Sequence, residues 1–356
     1  MRLIVLPGDG IGPEITAATL EVLRAAAGRF AFDLDLIEDV VGHASLARHG
    51  TTVRPDLLAR VRAADGLMLG PTSTYDFKDE SRGEINPSRY FRKALDLYAN
   101  IRPARTYPGM AGRCGPLDLV VVRENTEGFY ADRNMTEGEA EMLVTPDVVI
   151  SLRRITRACC ERIAETAFRL AAGRRRQVTL VHKANVLRRG DGMFLACCRA
   201  VAAGFPDVAV EEIIVDAMMA HLVRTPGRFD VICTTNMFGD ILSDLTAELS
   251  GSIGLGGSLN AGRDIAMAQA AHGSAPDIAG RDIANPFSLV ISAAMLLDWH
   301  GARTGEARFR TAAAAIEAAI AASITEGDMT RDLGGTLGTA AAGHRLAARI
   351  AAPQAA

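Results

Sequence analysis

The stretch Phe229-Asp230-Val231-Ile232-Cys233-Thr234-Thr235-Asn236-Met237-Phe238-Gly239-Asp240-Ile241-Leu242-Ser243-Asp244-Leu245 passes from one kind of order into another. Residues 229–233 form a β-branched apolar run, the mark of a buried strand. From Gly239 to Leu249 the apolar residues recur at helical spacing, with Asn236 placed to act as the N-cap. Leu242, Leu245 and Leu249 share one face of that helix, and Asp240 and Asp244 lie together on the opposite one. Carboxylates four residues apart on a helix can point at one ion. The plain alternative is a solvated polar face on which Asp240 complements the helix dipole.

Working outward, the same alternation of strand and helix recurs. Strands over Leu3–Leu6, Phe32–Ile37 and Gly66–Leu69 are separated by helices over Glu14–Ala27 and Pro55–Arg62, a pattern that predicts a parallel α/β sheet. The turn Gly8-Asp9-Gly10-Ile11-Gly12-Pro13 lacks the spacing of the dinucleotide fingerprint Gly-x-Gly-x-x-Gly and reads as a tight strand-to-helix turn. Residues 71–88 form a long loop, which feeds a helix over Ser88–Tyr98. A strand over Leu117–Val122 follows, then an exposed excursion at 131–144 and a long helix from about Pro146 to Ala172. Strands over Val178–Val181 and Val208–Val215 flank another helix. Glycine-rich residues 251–262 mark a crossing between domains, and two helices end the chain before a short Ala-rich tail.

The 356 residues are 49% hydrophobic and 23% charged, ordinary proportions for a globular protein with room for two domains. A formal net charge of -3 gives no footing for a nucleic-acid partner, and the basic run Arg174-Arg175-Arg176 falls where a helix ends. The apolar run at the N-terminus is too short for a signal peptide, and no apolar stretch reaches membrane-spanning length. Six cysteines without a Cys-x-x-Cys pattern read as core residues in a reducing cytoplasm. Of 39 basic residues only Lys78, Lys93 and Lys183 are lysines. A lysine kept in such a chain draws notice, because a buried lysine can be neutral and act as a base where arginine cannot.

Several single polar residues sit just past the carboxyl ends of apolar strands: Arg123, Lys183, Asp216 and the 236–244 unit. Ligands of parallel sheets bind outside those ends. One at a time these are loop-edge residues with local hydrogen bonds. Together they suit a polycarboxylate substrate and a hard divalent cation. A metal held by Asp216, Asp240 and Asp244 could chelate a 2-hydroxyl and its neighbouring carboxylate, with Lys183 accepting the proton. Arg92, Arg102 and Arg123 could clamp carboxylates, and Tyr130 could return a proton.

Six ordered motifs then give the chain a family resemblance. They are Leu-Pro-Gly-Asp-Gly-Ile-Gly-Pro-Glu at the start, Asp-Leu-Tyr-Ala-Asn-Ile-Arg-Pro at 96–103, Arg-Glu-Asn-Thr-Glu-Gly at 123–128, His-Lys-Ala-Asn-Val-Leu at 182–187, Phe-Gly-Asp-Ile-Leu-Ser-Asp at 238–244 and His-Gly-Ser-Ala-Pro-Asp-Ile-Ala-Gly at 272–280. Along nearly its whole length the chain resembles the β-decarboxylating dehydrogenases of the isocitrate/isopropylmalate dehydrogenase family. The resemblance implies a two-domain α/β fold that is not the typical Rossmann fold, with a discontinuous first domain, 1–98 with 255–356, and a second domain, 99–254. It implies a homodimer with shared active sites, in which Lys183 and Asp216 come from the partner, and pairing of dimers into tetramers stays open. Mg²⁺ or Mn²⁺ on Asp216, Asp240 and Asp244, Lys183 as base and Tyr130 as acid are implied with it. So is an NAD site over Ile11, Thr72, His272, Gly273, Ser274, Ala275, Asp277, Ile278 and Asn285, since a carboxylate at Asp277 takes ribose hydroxyls and repels a 2′-phosphate.

One departure stands out. Where the family has Phe-Glu-Pro-Val before the histidine, this chain has Ala268-Gln269-Ala270-Ala271, so a glutamate that lies near the nicotinamide is replaced by an amide. Ser88 and Arg89 fall where isopropylmalate enzymes place leucines, and neither favours a hydrocarbon. The expected substrate is therefore a hydroxy-di- or tricarboxylate with a polar or anionic third substituent, homoisocitrate or isocitrate, ahead of D-malate, tartrate or isopropylmalate. Two rival classes remain. A silent regulatory subunit would have lost some of the Lys, Tyr, Arg and Asp set, all kept here. A metal-dependent phosphatase or phosphonate-handling enzyme would not need the Asp277-Ile278 pair.

Overall fold

The computed structural model describes residues 1–110, 112–130, 135 and 140–352. Its contacts cluster into two compact units, Met1–Leu95 with Tyr107–Met110 and Gly251–Ala356, and Asp96–Thr106 with Ala111–Ser250. The second unit is one insertion in the first, apart from the short return at 107–110.

The first unit opens with β1 (Arg2–Leu6), α1 (Gly12–Phe30), β2 (Asp35–Glu38), α2 (Gly42–His49), α3 (Leu57–Arg62), β3 (Gly66–Leu69) and α4 (Pro87–Ala94). The second contains β4 (Ala99–Arg105), β5 (Asp118–Glu124), β6 (Glu141–Thr145), β7 (Val148–Ser151), α5 (Arg157–Ala172), β8 (Gln177–His182), α6 (Gly190–Ala202), β9 (Ala209–Ile214), α7 (Val215–Arg224), β10 (Val231–Thr234) and α8 (Asn236–Ser250). The chain then completes the first unit with β11 (Leu259–Ala261), β12 (Ala266–Gln269), α9 (Phe287–Thr304), α10 (Ala307–Glu326) and α11 (Thr339–Ala351).

Within the first unit the strands run β2-β1-β3-β12-β11, parallel except for β11. Val5 and Leu6 of β1 and Leu67, Met68 and Leu69 of β3 are fully buried, as expected of parallel strands covered on both faces. In the second unit the order is β4-β5-β10-β8-β9, with β4 antiparallel to β5 and the others parallel. Leu242 and Leu249 of α8 pack with Leu119, Val121 and Ile232 of the sheet, so the apolar face read from the sequence is the one that is buried. Gly239 lets α8 approach β5 closely, since a Cβ there would lie 2.6 Å from Cβ and Cγ of Arg123.

Four local expectations are corrected. The helix expected from Pro146 begins at Arg157, because Pro146-Asp147 is a turn and the β-branched run Val148-Val149-Ile150 pairs with 141–145 as a hairpin. Three helices, not two, end the chain. Asn236 is the first residue of α8 and its side chain accepts from Arg123 at 2.9 Å and 2.6 Å, so it is not spent on capping. Arg123 lies within β5 and not past its end. Of the excursion at 131–144, residues 131–134 and 136–139 lie outside the described residues, as does the Ala-rich tail from 353, while β6 is fully exposed. No described helix is long and apolar enough to cross a membrane.

Candidate active site

In the second unit, β4 and β5 bring two arginines to α8. Register places Asn100 opposite Arg123, and Asn100 accepts from Nε of Arg102 at 2.7 Å. Nη1 of Arg102 reaches Ser243 Oγ at 2.8 Å and Asp244 Oδ1 at 3.0 Å, with Asp240 Oδ1 at 3.5 Å. Arg123, 2% exposed, bonds Asp240 and Asn236. Tyr130 donates to the other Asp240 oxygen at 3.3 Å, its ring beneath the Arg123 guanidinium. Two buried cations thus face two helix-borne carboxylates, and the charges roughly cancel. Burial and the nearby Arg123 push Arg102 down to about 10, against the pull of Asp240 and Asp244, so it stays protonated at neutral pH. Burial raises Asp244 above the ordinary carboxylate range, with the Asp240 charge acting in the same direction and Arg102 against it.

Lys183 and Asp216 form a second cluster in the same unit. Lys183 Nζ pairs with the Asp216 carboxylate, whose pKa it holds below the usual range, chiefly through that hydrogen bond. The turn carrying Lys183 is braced by Asp191, 0% exposed, which accepts the Lys183 N–H at 2.6 Å and Arg153 Nη2 at 2.7 Å. His182 Nδ1 accepts the Ala184 N–H at 3.0 Å, fixing its tautomer. The sequence does not single out Asp191, and Asn236 reads there as a cap and as the start of the 236–244 unit, not as a partner of Arg123. One is an acid in the first turn of a helix and the other a presumed cap, and the composition around them carries no signal of the buried cations they serve.

Among the described residues no three of His, Cys, Asp and Glu gather into a metal-holding set. Asp240 and Asp244 come together, and Asp216 stays with Lys183 instead of completing their set within one chain. The donor chemistry still fits a hard cation. Two carboxylates at i and i+4 on one helix supply oxygen ligands, and the remaining positions have to come from elsewhere.

In the first unit, Ser88 and Arg92 lie one turn apart on α4, and Gln269 at the end of β12 bonds both. Its Oε1 accepts from Arg92 Nη2 at 3.0 Å and lies 3.2 Å from Ser88 Oγ. Arg89 is half-exposed, with Nη1 3.6 Å from Glu80. The 272–280 loop is braced by the N-terminal glycine turn: the Ile11 N–H donates to Ser274 O at 2.9 Å, and a Cβ at Gly10 would sit 1.9 Å from that oxygen. Asp9 anchors the turn through the His43 and Ser73 amides at 2.8 Å and 3.0 Å, and Ser73 Oγ lies 3.0 Å from Ser274 Oγ. Ala275 adopts φ 38°, opening a short 3₁₀ turn on which Asp277 is exposed and Ile278 half-buried. Asn285 is held by Asp332 at 2.9 Å through Nδ2 and by the Phe287 N–H at 2.9 Å through Oδ1. Thr72 is buried at the end of the stretch that follows β3. Burial keeps His272 below its ordinary pKa, hence neutral.

Residues 2–346 match the family model described as isocitrate/isopropylmalate dehydrogenase. The chain belongs to the isocitrate/isopropylmalate dehydrogenase family. It is 41% identical over 341 residues to the isocitrate/homoisocitrate dehydrogenase of Thermus thermophilus, covering 96% of each chain. It is 38% identical over 336 residues to a 3-isopropylmalate dehydrogenase of Saccharolobus solfataricus, covering 94% of this chain and 95% of that one. The crystal structure of isocitrate dehydrogenase from Methylococcus capsulatus superposes with a TM-score of 0.87 at 37% identity over 99% of both chains. As a member of this family the protein is a decarboxylating dehydrogenase of small hydroxy acids, and its mixed α/β fold is the family's. Relatives of similar identity act on different substrates, so overall likeness does not choose among them.

Proposed function

We propose that the protein catalyses the NAD-dependent, divalent-metal-dependent oxidative decarboxylation of a 3-substituted (R)-malate whose third substituent is polar or anionic, homoisocitrate or isocitrate. The observation that carries this reading is the cluster in which Asp240 and Asp244 share α8 with the buried arginines Arg102 and Arg123 and with Tyr130. Arg92, Arg102 and Arg123 hold substrate carboxylates in bidentate pairs and fix the orientation of the C2 hydrogen. Lys183 takes the proton of the 2-hydroxyl as the hydride leaves for NAD. The carboxylate on C3, β to the new C2 ketone, leaves as CO2 and its electron pair forms the C2–C3 enolate, to whose C3 Tyr130 gives a proton. Asp240 and Asp244, with Asp216 of a second copy, would hold Mg²⁺ or Mn²⁺, which would supply Lewis acidity to the hydroxyl being oxidised.

NAD rather than NADP follows from exposed Asp277, whose charge repels a 2′-phosphate; Ile11, Thr72, His272–Ala275, Ile278 and Asn285 complete that site. The homodimer is supported by the β6–β7 hairpin. Met142, Leu143, Val144, Val148, Val149 and Ile150 are all exposed there, Leu143 by 70%, and a second copy would cover them. Six cysteines, all free, suit a reducing cytoplasm.

The test is an assay of purified protein with NAD and Mn²⁺ against isocitrate, homoisocitrate, D-malate, tartrate and 3-isopropylmalate. Turnover is expected with the first two at the highest kcat/KM; preference for isopropylmalate would sink the substrate assignment. D-malate and tartrate dehydrogenation is the second reading, favoured by the Ser88 hydroxyl, which suits a small polar group as well as an anionic one.

A further inference from the structure

We infer that Arg153 is a positioning residue of this enzyme: with Asp191 it forms a buried ionic strut that holds the turn carrying Lys183 to the body of the second unit. The inference rests on the reaction proposed above, in which Lys183 is the base, and deepens it.

Lys183 follows β8 and starts a tight turn, its carbonyl accepting the N–H groups of Val186 and Leu187 at 2.9 Å and 2.8 Å. Asn185 and Val186, at the middle of that turn, are exposed. The fixed point beneath them is the fully buried carboxylate of Asp191, which is divided between two donors. Its Oδ2 accepts the Lys183 N–H at 2.6 Å, and its Oδ1 accepts from Arg153 Nη2 at 2.7 Å. A carboxylate shut off from water keeps its charge only with a cation at hand, and the Arg153 guanidinium is that cation.

Arg153 is fastened elsewhere as well. The same Nη2 lies 3.3 Å from Oγ1 of Thr235, the residue before α8. Its guanidinium stands 5.8 Å from the ring of Phe238, in the first turn of α8, and 5.9 Å from that of Phe129, next to Tyr130. Its chain neighbour Arg154 exchanges both backbone hydrogen bonds with Gly128, at 2.8 Å and 3.0 Å. Arg153 thus joins the Lys183 turn to the head of the helix that carries Asp240 and Asp244, and to the segment that ends in Tyr130. On the proposed reading Lys183 serves the site of a second copy, so the strut sets where one subunit presents its base to the other. Without Arg153 the Asp191 carboxylate is buried and unpaired. It takes up a proton or turns towards water, and in either case the Lys183 N–H loses its charged acceptor. A base misplaced by about 1 Å costs on the order of a hundredfold in rate, and the cost falls on the chemical step.

The test uses the full-length protein with NAD, Mn²⁺ and whichever of isocitrate and homoisocitrate is the better substrate. Arg153→Met is expected to lower kcat by about thirtyfold or more while KM for the acid and for NAD stays within about threefold. Arg153→Lys, which keeps a cation for Asp191, should hold kcat within about fivefold of wild type. In a Lys183→Met background, Arg153→Met should cost no more than about twofold further, since its effect passes through the lysine. A merely structural role would cost the same factor in both backgrounds. Hydrogen exchange reads the strut without turnover. The Lys183 amide should exchange at least about tenfold faster in Arg153→Met, with the amides of β1 and β3 in the first unit unchanged. If Arg153→Met does not fold, Asp191→Asn carries the same expectations. The inference is overturned if kcat survives, if Arg153→Lys is as slow as Arg153→Met, if the loss persists in the Lys183→Met background, or if the Lys183 amide stays as protected as before. If wild type oxidises neither acid, the proposed reaction fails separately. Exchange then decides this point alone: a faster Lys183 amide supports the strut, and an unchanged one overturns it.

Discussion

The candidate-site arginines of the two units meet different acceptors. In the second, Arg102 and Arg123 are met by Asp240 and Asp244 as well as by the amides of Asn100 and Asn236. In the first, the amide oxygen of Gln269 accepts from Arg92. A guanidinium matched by a carboxylate has its charge answered within the protein, and a ligand must compete for it. A cation on Asp240 and Asp244 would compete with Arg102 and Arg123 for the same oxygens and so leave the arginines to a substrate anion. On the proposed reading, a metal would release the arginines of the second unit. The contrast also explains why the charged side chains of the second unit can be so deeply buried: each has a partner in hand.

The sharpest way to break this contrast is to remove the base from the second unit. Lys183→Met is expected to lower turnover by about a thousandfold or more while NAD binding, read by calorimetry, is kept. Substantial turnover in that variant would take the base role from Lys183. Next in size is Asp244→Asn. If Asp244 serves a cation, Mn²⁺ affinity should fall by tenfold or more on the scale typical of a lost charged ligand. If it serves only Arg102, the melting temperature should drop and the Mn²⁺ titration should stay put, and the metal-switched account of the second unit would go.

A smaller effect is expected on the first unit from Asp277→Lys, which should shift the NAD:NADP ratio of kcat/KM towards NADP by about tenfold. An unchanged ratio would move the selection of dinucleotide away from that turn. The smallest concerns acid. His272 and His300 in the first unit and His182 in the second all have pKa values lowered by burial from the ordinary 6.5. A lowered histidine binds its proton more readily when unfolded, so the stability it supports is complete above pH 6.5 and is lost as pH falls through that value. His300, packed edge-on against Phe309, is the simplest to remove. His300→Phe should flatten the fall of melting temperature between pH 7 and 5 by about a degree or two; an identical slope would place the acid sensitivity elsewhere.

Much of this was legible before any coordinates. The strands at 66–69, 177–182 and 231–234 announce themselves as apolar runs, and the polar face of α8 follows from the spacing of Asp240 and Asp244. Two of the elements that escaped bury polar or small residues. β4 buries Asn100 and Arg102 at its centre, so it offers no apolar run. Helix α2 buries only Gly42 and Ser45, which leaves no amphipathic period to read. The β6–β7 hairpin fails in the reverse sense, being apolar yet exposed, so the run after Pro146 looked like the start of a buried helix. In the site, the residue types were visible but their partners were not. Asn236 reads as a cap and Gln269 as a weakened glutamate until distances reveal which arginine each one holds.

The close seat of α8 on β5 carries a warning for anyone seeking a hardier enzyme. Glycine inside a helix is the first residue a stabilisation campaign replaces, since alanine there gains about 1 kcal/mol of helix propensity. At Gly239 the added methyl group would meet Cβ and Cγ of Arg123 at 2.6 Å, too close to be absorbed without moving one of them. Either the helix lifts and carries Asp240 and Asp244 with it, or the arginine turns out of its bond to Asn236. Overpacking of that kind costs about 1–3 kcal/mol, more than the helix propensity returns, so a design ranked on propensity alone would yield an enzyme that melts lower and carries its helix-borne carboxylates out of place.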